Sequence, residues 1–496
     1  MMKDFNKLLK EMGSGQMSQN AYDTAWVARM INIDPDISNV ALNWLCKNQL
    51  SDGSWGTQEF VYYHDRVICT LGAMIALTHR GRRTADKDRI ERGLKALESI
   101  TSNATRGLAS DPGGATVGFE MIVPTLLLEA EQLGIIKHQG DRILGKLSRL
   151  RAQKLEKLRG MKINRFITPA FSAEMAGLDG QHLLEIDNLQ DNNGSVAHSP
   201  SATAYYTMYI RQDQKAINYI RTYIAKDGGV PNVAPIDIFE PAWILWNLGL
   251  IPNLENETLS LLIPPLDFLA QTWDNKKGIG HASQYAPKDG DDTGLVYDVM
   301  LHFGYNISID AVLNYEEERH FRCFDLEANP SISANIHILG ALKRAGFLRE
   351  TPAVKKILTF LRYHQTRGCF WMDKWHASPY YPTAHAIIIA QGLDDELCAG
   401  AIQWLLDTQK QDGSWGFYNV STSEETAYCL QALASWKMFG HNPVIPKTAI
   451  TAAADWLAEH TNPPYASLWI GKALYCPERV VKSAILSALL LAKQIL

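Results

Sequence analysis

The sequence predicts an all-α protein built as two α/α barrels. Three observations carry that expectation. Apolar residues recur at helical spacing in LSALLLAKQIL, AIQWLLDTQK, YCLQALASWKMF and VLNYEEERHF, while long alternating strand patterns are scarce. Prolines and glycines punctuate these stretches at short intervals, as paired helices require. An eight-residue element, QxxDGSWG, also recurs between helices, which marks a repeat architecture.

The repeat is clearest as Gln49–Gly56 and again as Gln409–Gly416. A weaker copy runs from Gln190 to Val196, and Lys226–Val230 and Gln365–Trp371 read as eroded ones. In both strong copies a helix (NWLCKNQ, QWLLDTQ) precedes the element. Asp-Gly supplies the turn, Gln reaches backbone groups left free at helix ends, and Trp fills the groove between neighbouring helices. These elements brace a barrel and specify no chemistry. The Pro-containing stretch LIPNLENETLSLLIPPL separates the halves and places a boundary near residue 255.

Composition bounds the function. The chain has 496 residues, with 48 Lys+Arg against 53 Asp+Glu for a net charge of −5, and 46% hydrophobic residues. At about 150 residues per domain that length suggests two or three domains. The charge balance gives no field to collect nucleic acid or anionic lipid. Cysteines at 46, 69, 323, 369, 398, 429 and 476 form no CxxC pair and no disulfide framework, which suits a reducing compartment. The N-terminal stretch MMKDFNKLLKEMGSGQ has no apolar h-region, and no apolar run approaches the roughly 20 residues of a membrane span. The expectation is a cytoplasmic protein without an integral membrane segment.

Asp289-Gly290-Asp291-Asp292-Thr293 is the chemically loaded segment. Three carboxylates within four residues repel one another, and apolar enclosure raises the cost of ionising them all. One of them then keeps a proton at neutral pH. The following GLVYDVMLHF reads as helix, and a helix N-terminus favours the anion, so the retained proton is readily given up. Taken alone, the cluster is equally an acidic helix cap or a surface Ca²⁺-type oxygen cluster.

The QxxDGSWG copies together with a single DxDDT resemble the class II terpene cyclases, which include squalene–hopene cyclases and copalyl diphosphate synthases. Further matches run end to end: Asn20–Ala28 (NAYDTAWVA), Val117–Glu120, Ser199–Tyr205, Gly228–Asn232, Asp373–His376 and Leu468–Lys472. The set is similar to the compact bacterial class II diterpene cyclases that make halimadienyl, kolavenyl or copalyl diphosphates. The resemblance implies a βγ architecture: residues 1–35, with the AYDTAWVA helix, as the first part of the β domain, 36–255 as an inserted γ barrel, and 256–496 as the β barrel carrying the acid. It implies geranylgeranyl diphosphate as substrate, protonation of its terminal alkene, bicyclisation and retention of the diphosphate. Asp291 is then the proton donor, with Asp289 and Asp292 holding and tuning it. A homodimer is compatible with the family, and a class I synthase or a phosphatase would use the product.

The resemblance also assigns the rest of the site. Copalyl-forming plant relatives carry a His in the segment matching Pro169–Glu174, paired with an Asn in GGVPN; this chain keeps Asn232 and has Phe171. Phenylalanine accepts no proton but stabilises a cation, so a longer-lived cation and a rearranged halimadienyl or kolavenyl product are expected; otherwise another base acts early and the product is copalyl. His281 stands where several relatives have Trp, as a base, a partner to Asp289 or a surface histidine. Lys154 and Lys157 match a basic segment near the diphosphate, or form a solvated helix face. Lys374 and Lys472 lie among aromatic residues, where a buried ammonium calls for an anion, so each is expected to bind the diphosphate or to join a buried network. Mg²⁺ is implied as cofactor, with Asp111 and Glu120 as its candidate ligands. The nearest approach to a DDxxD metal motif is Asp394–Cys398, which ends in Cys, so diphosphate ionisation is not expected. The rivals are an (α/α)-barrel glycoside hydrolase, whose paired carboxyls usually come from separate loops, a zinc-dependent prenyltransferase subunit, and a non-catalytic helical scaffold.

Overall fold

A computed structural model describes residues 1–80, 83–102, 109–137, 141–327, 329–440 and 444–496. Among them, five segments close a first inner ring: Ala21–Ala28, Tyr63–Arg80, Phe119–Gln132, the 3₁₀ turns of Thr168–Ala176, and Pro200–Tyr209. Pro35–Lys47, Thr84–Ser102, Asp141–Glu156 and Gln214–Tyr223 pack outside it. Six helices close a second ring: Phe239–Gly249, Gly290–His302, Ile332–Arg344, Tyr380–Ala390, Ser423–Met438 and Glu478–Ile495. Its outer layer includes Met2–Glu11, Asn256–Thr272, Pro352–His364, Asp395–Thr408 and Lys447–Glu459. The inner helices are buried nearly all round, as their apolar sequences require, and the outer ones are amphipathic.

Two hydrophobic cores follow this division, and they correct the expected boundaries. Met2–Glu11 joins the second core, but the AYDTAWVA helix lies in the first, with Tyr22, Ala25 and Trp26 packed among its neighbours. The change from first core to second falls between Val230 and Ile236, not near residue 255, so Phe239–Gly249 belongs to the acid-bearing barrel. Physically, an eight-residue helix buried on every side goes where its ring has room for it, whatever its place in the chain. No described helix is long and apolar enough to cross a membrane.

The repeats hold one geometry. Gln49 Nε2 donates to the carbonyls of Gly53 and Arg89 (2.8 and 2.9 Å), and Gln409 Nε2 to those of Gly413 and Ala449 (both 2.9 Å). Trp55 and Trp415 donate their indole N–H to Leu45 and Leu405 carbonyls of the preceding helix. Gly53 and Gly413 have φ of +91° and +90°, and a Cβ at either would strike backbone of the adjoining helix. A threonine of the next inner helix accepts the backbone N–H at the Trp position: Thr70 for Trp55, Thr203 for Val196, Thr383 for Trp371, and Thr426 for Trp415. Thr24 does the same for Val230. One more copy, too eroded to read in sequence, runs from Asp274 to Ile279, and its threonine is Thr293 (3.0 Å). The Thr of DxDDT is thus the anchor shared by every repeat, and the acid is built on a repeat.

Candidate active site

A chamber of about 480 Å³ opens between the two barrels, within the size range of small-molecule sites. Its wall carries Phe171, Phe239, Trp243, Tyr285, Trp469 and Tyr475, together with Asp289, Asp291 and Asp292. Thr116 to Glu120, Lys154, Lys157 and Phe171 come from the first barrel; the acids, Trp243 and Lys374 come from the second.

Asp289 is the N-cap of Gly290–His302, and its Oδ1 accepts the Asp292 N–H at 2.8 Å. Ser199 and Thr422 occupy the same capping place at their own inner helices. Burial lifts the Asp289 carboxyl to about 7. Burial, and then the charge of Asp289, holds Asp292 well above the usual carboxylate range. Asp291 is the one turned toward the chamber, with 14% of its side chain exposed. Its Oδ1 lies 2.5 Å from His337 Nδ1, and its Oδ2 lies 3.3 Å from Ser333 Oγ. His337 Nε2 lies 2.9 Å from His385 Nδ1, and His385 stacks on Trp246 with centroids 4.3 Å apart. Burial drives His385 well below the imidazole range, so it is neutral. With His385 Nδ1–H donating to His337, and His337 Nδ1–H to Asp291, the only bare ring nitrogen is an acceptor, His385 Nε2; the network assigns that tautomer chain. His337 thus presents an N–H to Asp291 Oδ1 at the chamber wall.

His337, Ser333 and His385 had no motif to announce them. Each lies inside an apolar helix, where an isolated histidine is usually structural. The available signal is spacing: Asp291, His337 and His385 fall 46 and 48 residues apart, one repeat each. Asp373, in the DKWH segment, supports the same helix by accepting the backbone N–H groups of Ile332 and Ser333 and the Ser333 hydroxyl (2.9, 3.3 and 2.7 Å).

The remaining expected residues divide. Phe171 lines the chamber, but Lys472 Nζ sits 4.4 Å from its ring centroid. With an ammonium on one face, the ring has less to offer a second cation; its main effect is to put no proton acceptor there. Asn232 also lines the chamber and clamps Ala473, donating to its carbonyl and accepting from its N–H (3.0 and 3.2 Å). His281 packs on Tyr285 and His198, with centroids 4.1 and 5.6 Å away, rather than on Asp289. Its Nε2 has no partner among the described residues, and burial drives it well below the imidazole range.

Lys154, Lys157 and Lys374 all reach the chamber. Lys154 pairs with Glu120 at 2.9 Å, and Lys374 with Glu327 at 2.6 Å, while Lys157 donates to the Glu327 carbonyl. Lys472 is different and corrects the expectation of diphosphate binding. It is fully buried outside the chamber wall, donating to Glu174, Ser199 and Ser201 (2.6, 2.7 and 2.7 Å), so its charge and donors are already matched. Asp111 is a second correction. Its carboxylate accepts the backbone N–H groups of Tyr63 and His64 and contacts His64 Nδ1 at 2.7 Å, which leaves it a buried helix cap instead of a metal ligand.

Paired α/α barrels that enclose a buried carboxylic acid in an aromatic chamber are the build of a terpene cyclase, and comparison with known proteins agrees. The squalene-hopene cyclase C-terminal domain family matches residues 323–438. The chain is 48% identical to a type B diterpene cyclase of Mycobacterium tuberculosis, over 99% of both proteins. It is 32% identical to ent-copalyl diphosphate synthase 1 of Oryza sativa over 77% of this chain, and spans 44% of that longer protein. The solved ent-copalyl diphosphate synthase from Streptomyces platensis superposes with a TM-score of 0.77 at 27% identity, covering 99% of both chains. This chain belongs to the type B diterpene cyclase family.

Proposed function

We propose that this diterpene cyclase acts on geranylgeranyl diphosphate, opening the reaction with a proton and leaving the diphosphate in place. The carrying observation is the contact of Asp291 with His337 at the wall of an aromatic chamber. Asp291 gives its proton to the terminal alkene; the alkene's electron pair forms the new C–H bond, and the next two double bonds close a bicycle. The positive charge ends on a ring carbon faced by Trp243, Trp469 and Tyr475, each worth about 0.5–2 kcal/mol to a cation once water is excluded. Phe171 offers no lone pair, so the cation persists through hydride and methyl shifts. It then loses a proton to His281, whose neutral ring is kept neutral by burial. One proton enters and one leaves, so the reaction is an isomerisation, and the product is a halimadienyl or kolavenyl diphosphate, ready for a class I synthase or a phosphatase.

Lys154, Lys157 and Lys374 hold the diphosphate on this reading, since they face the same chamber as the acid. Mg²⁺ fits as a companion to the diphosphate rather than as a caged ion. Among the described residues no three His, Cys, Asp or Glu side chains gather around one point. Mg²⁺ takes one or two carboxylates together with phosphate oxygens and water, and Glu120, on the chamber wall beside Lys154, would supply one. When bound it would neutralise diphosphate charge.

An unrearranged copalyl product is the second reading, favoured by the likeness to ent-copalyl diphosphate synthases. Incubation of purified protein with geranylgeranyl diphosphate and Mg²⁺, then phosphatase treatment and gas chromatography–mass spectrometry, separates the two. A rearranged bicyclic alcohol supports the first, copalol the second, and geranylgeraniol alone contradicts both.

A further inference from the structure

Two tryptophans of the chamber wall are wired differently from those of the repeats. The repeat tryptophans Trp55, Trp371 and Trp415 donate their indole N–H to backbone carbonyls, which satisfies a buried indole at no electrostatic cost. Trp243, on the wall, donates to the neutral hydroxyl of Tyr381 at 3.0 Å. Trp469, also on the wall, donates to the Glu424 carboxyl, Nε1 to Oε1 at 2.7 Å. Glu424 is fully buried, and burying a carboxyl where a carbonyl would do is costly unless the charge is used.

Two features of its surroundings suit a carboxylate. Glu424 lies in the first turn of Ser423–Met438, where the helix dipole supports an anion. His376 Nε2 stands 3.4 Å from the same Oε1. Burial, and then the charge of Glu424, pushes the buried Tyr428 hydroxyl one turn along the helix well above its usual range. Trp469 itself cannot move away, because Ile470 N–H donates to Trp375 carbonyl, and the ring packs edge-on against Phe239 and Trp243, with centroids 5.4 and 6.4 Å apart. Trp243 in turn meets His337, the partner of the acid, edge-on at 5.6 Å.

We propose that Glu424 is a positioning residue for the carbocation: it fixes Trp469 and, through a charged hydrogen bond to the indole N–H, strengthens the negative face that Trp469 turns to the chamber. The proposal rests on the reading that a cation forms in this chamber. A charge-assisted hydrogen bond is about twice as strong as a neutral one and polarises its donor. Electron density pushed into the indole raises its attraction for a cation on its face, and the ring does this without placing an anion where the cation would be quenched. Glu424 therefore acts on the transition states that carry charge and not on the neutral bound substrate.

The test is a double-mutant cycle on turnover of geranylgeranyl diphosphate. Glu424→Gln keeps an acceptor for the indole and removes the charge; it is expected to lower kcat about tenfold with KM within about twofold. Trp469→Phe removes the N–H, so in that background Glu424→Gln is expected to change kcat by less than about twofold. Equal losses in both backgrounds, or no loss in either, overturn the proposal. If Glu424→Gln does not fold, judged by near-ultraviolet circular dichroism, β-(3-benzothienyl)alanine at position 469 keeps the ring and lacks the donor. It is expected to reproduce the tenfold loss in assays run well below its melting temperature, and an undiminished kcat overturns the proposal. Wild-type protein that makes no cyclised diphosphate contradicts the cyclisation reading itself, whereas an active wild type indifferent to these changes contradicts only the role of Glu424.

Discussion

His337→Phe is the change that isolates the acid's partner. Phenylalanine keeps an aromatic ring where His337 meets Trp243 and Tyr381 edge-on, but it has no N–H for Asp291. The structure gives Asp291 one short contact, at 2.5 Å to His337, and one long one, at 3.3 Å to Ser333. The short contact matters most after proton transfer, when Asp291 is an anion. Hydrogen bonds to charged groups contribute about 1.5–3 kcal/mol, which is about 10- to 150-fold in kcat. KM is expected to stay within about twofold, since the hydrocarbon tail gains nothing from the histidine before the proton moves. The assay is steady-state turnover at saturating geranylgeranyl diphosphate, with product dephosphorylated and quantified. His385 loses its acceptor in this variant, so stability falls by about 1–3 kcal/mol, and the assay belongs well below the measured melting temperature. A kcat within threefold of wild type, or a loss carried wholly by KM, would refute the assignment of His337 as the acid's partner.

Three other outcomes follow from the buried charges. Asp289 is held near 7 when folded against an ordinary 3.8 unfolded, so its contribution to stability is full below about 4 and is lost as pH rises to about 7; Asp289→Asn, which still caps the helix, should flatten that decline in chemical denaturation series from pH 4 to 8. Lys472→Met and Glu174→Gln should each destabilise the fold by about 3–5 kcal/mol, because each strands a buried partner, while the double variant recovers much of the loss; a stable Lys472→Met with a raised KM would restore the diphosphate role. Phe171→His should move product toward unrearranged copalyl diphosphate, read by mass spectrometry, and an unchanged product would remove Phe171 from control of termination.

The sequence made the barrels legible because their repeats spend Gly, Asp, Gln and Trp on backbone geometry that tolerates few substitutes. The Asp274–Ile279 copy is hidden for the opposite reason: Ile279 replaces the Trp and Trp273 stands in the place of the Gln, so that only the positive-φ Gly278, the pairing of Asp274 with Gly278 and the Thr293 hydrogen bond survive. Asp289, Asp291 and Asp292 stand out in the sequence only through the family resemblance that DxDDT and the repeats carry, since the cluster alone is equally a helix cap. Their partners do not, because His337 and His385 meet Asp291 only when successive inner helices stand side by side. Lys472 and Asp111 show the converse. Both residues sit in suggestive segments, yet buried hydroxyls and a carboxylate in one case, and helix N–H groups in the other, consume their capacity before any ligand arrives. The AYDTAWVA segment was placed in the wrong barrel since a helix buried on all faces carries no stripe to say which core it enters.

Turnover in D₂O tests proton donation at the chamber most directly. Asp291 exchanges its proton with solvent between turnovers, so the cyclised diphosphate should gain a single deuterium, on the ring carbon next to the one that carried the two terminal methyl groups, and Asp291→Asn should form none of it. Cyclised product free of deuterium, or formed at the wild-type rate by Asp291→Asn, would contradict the account.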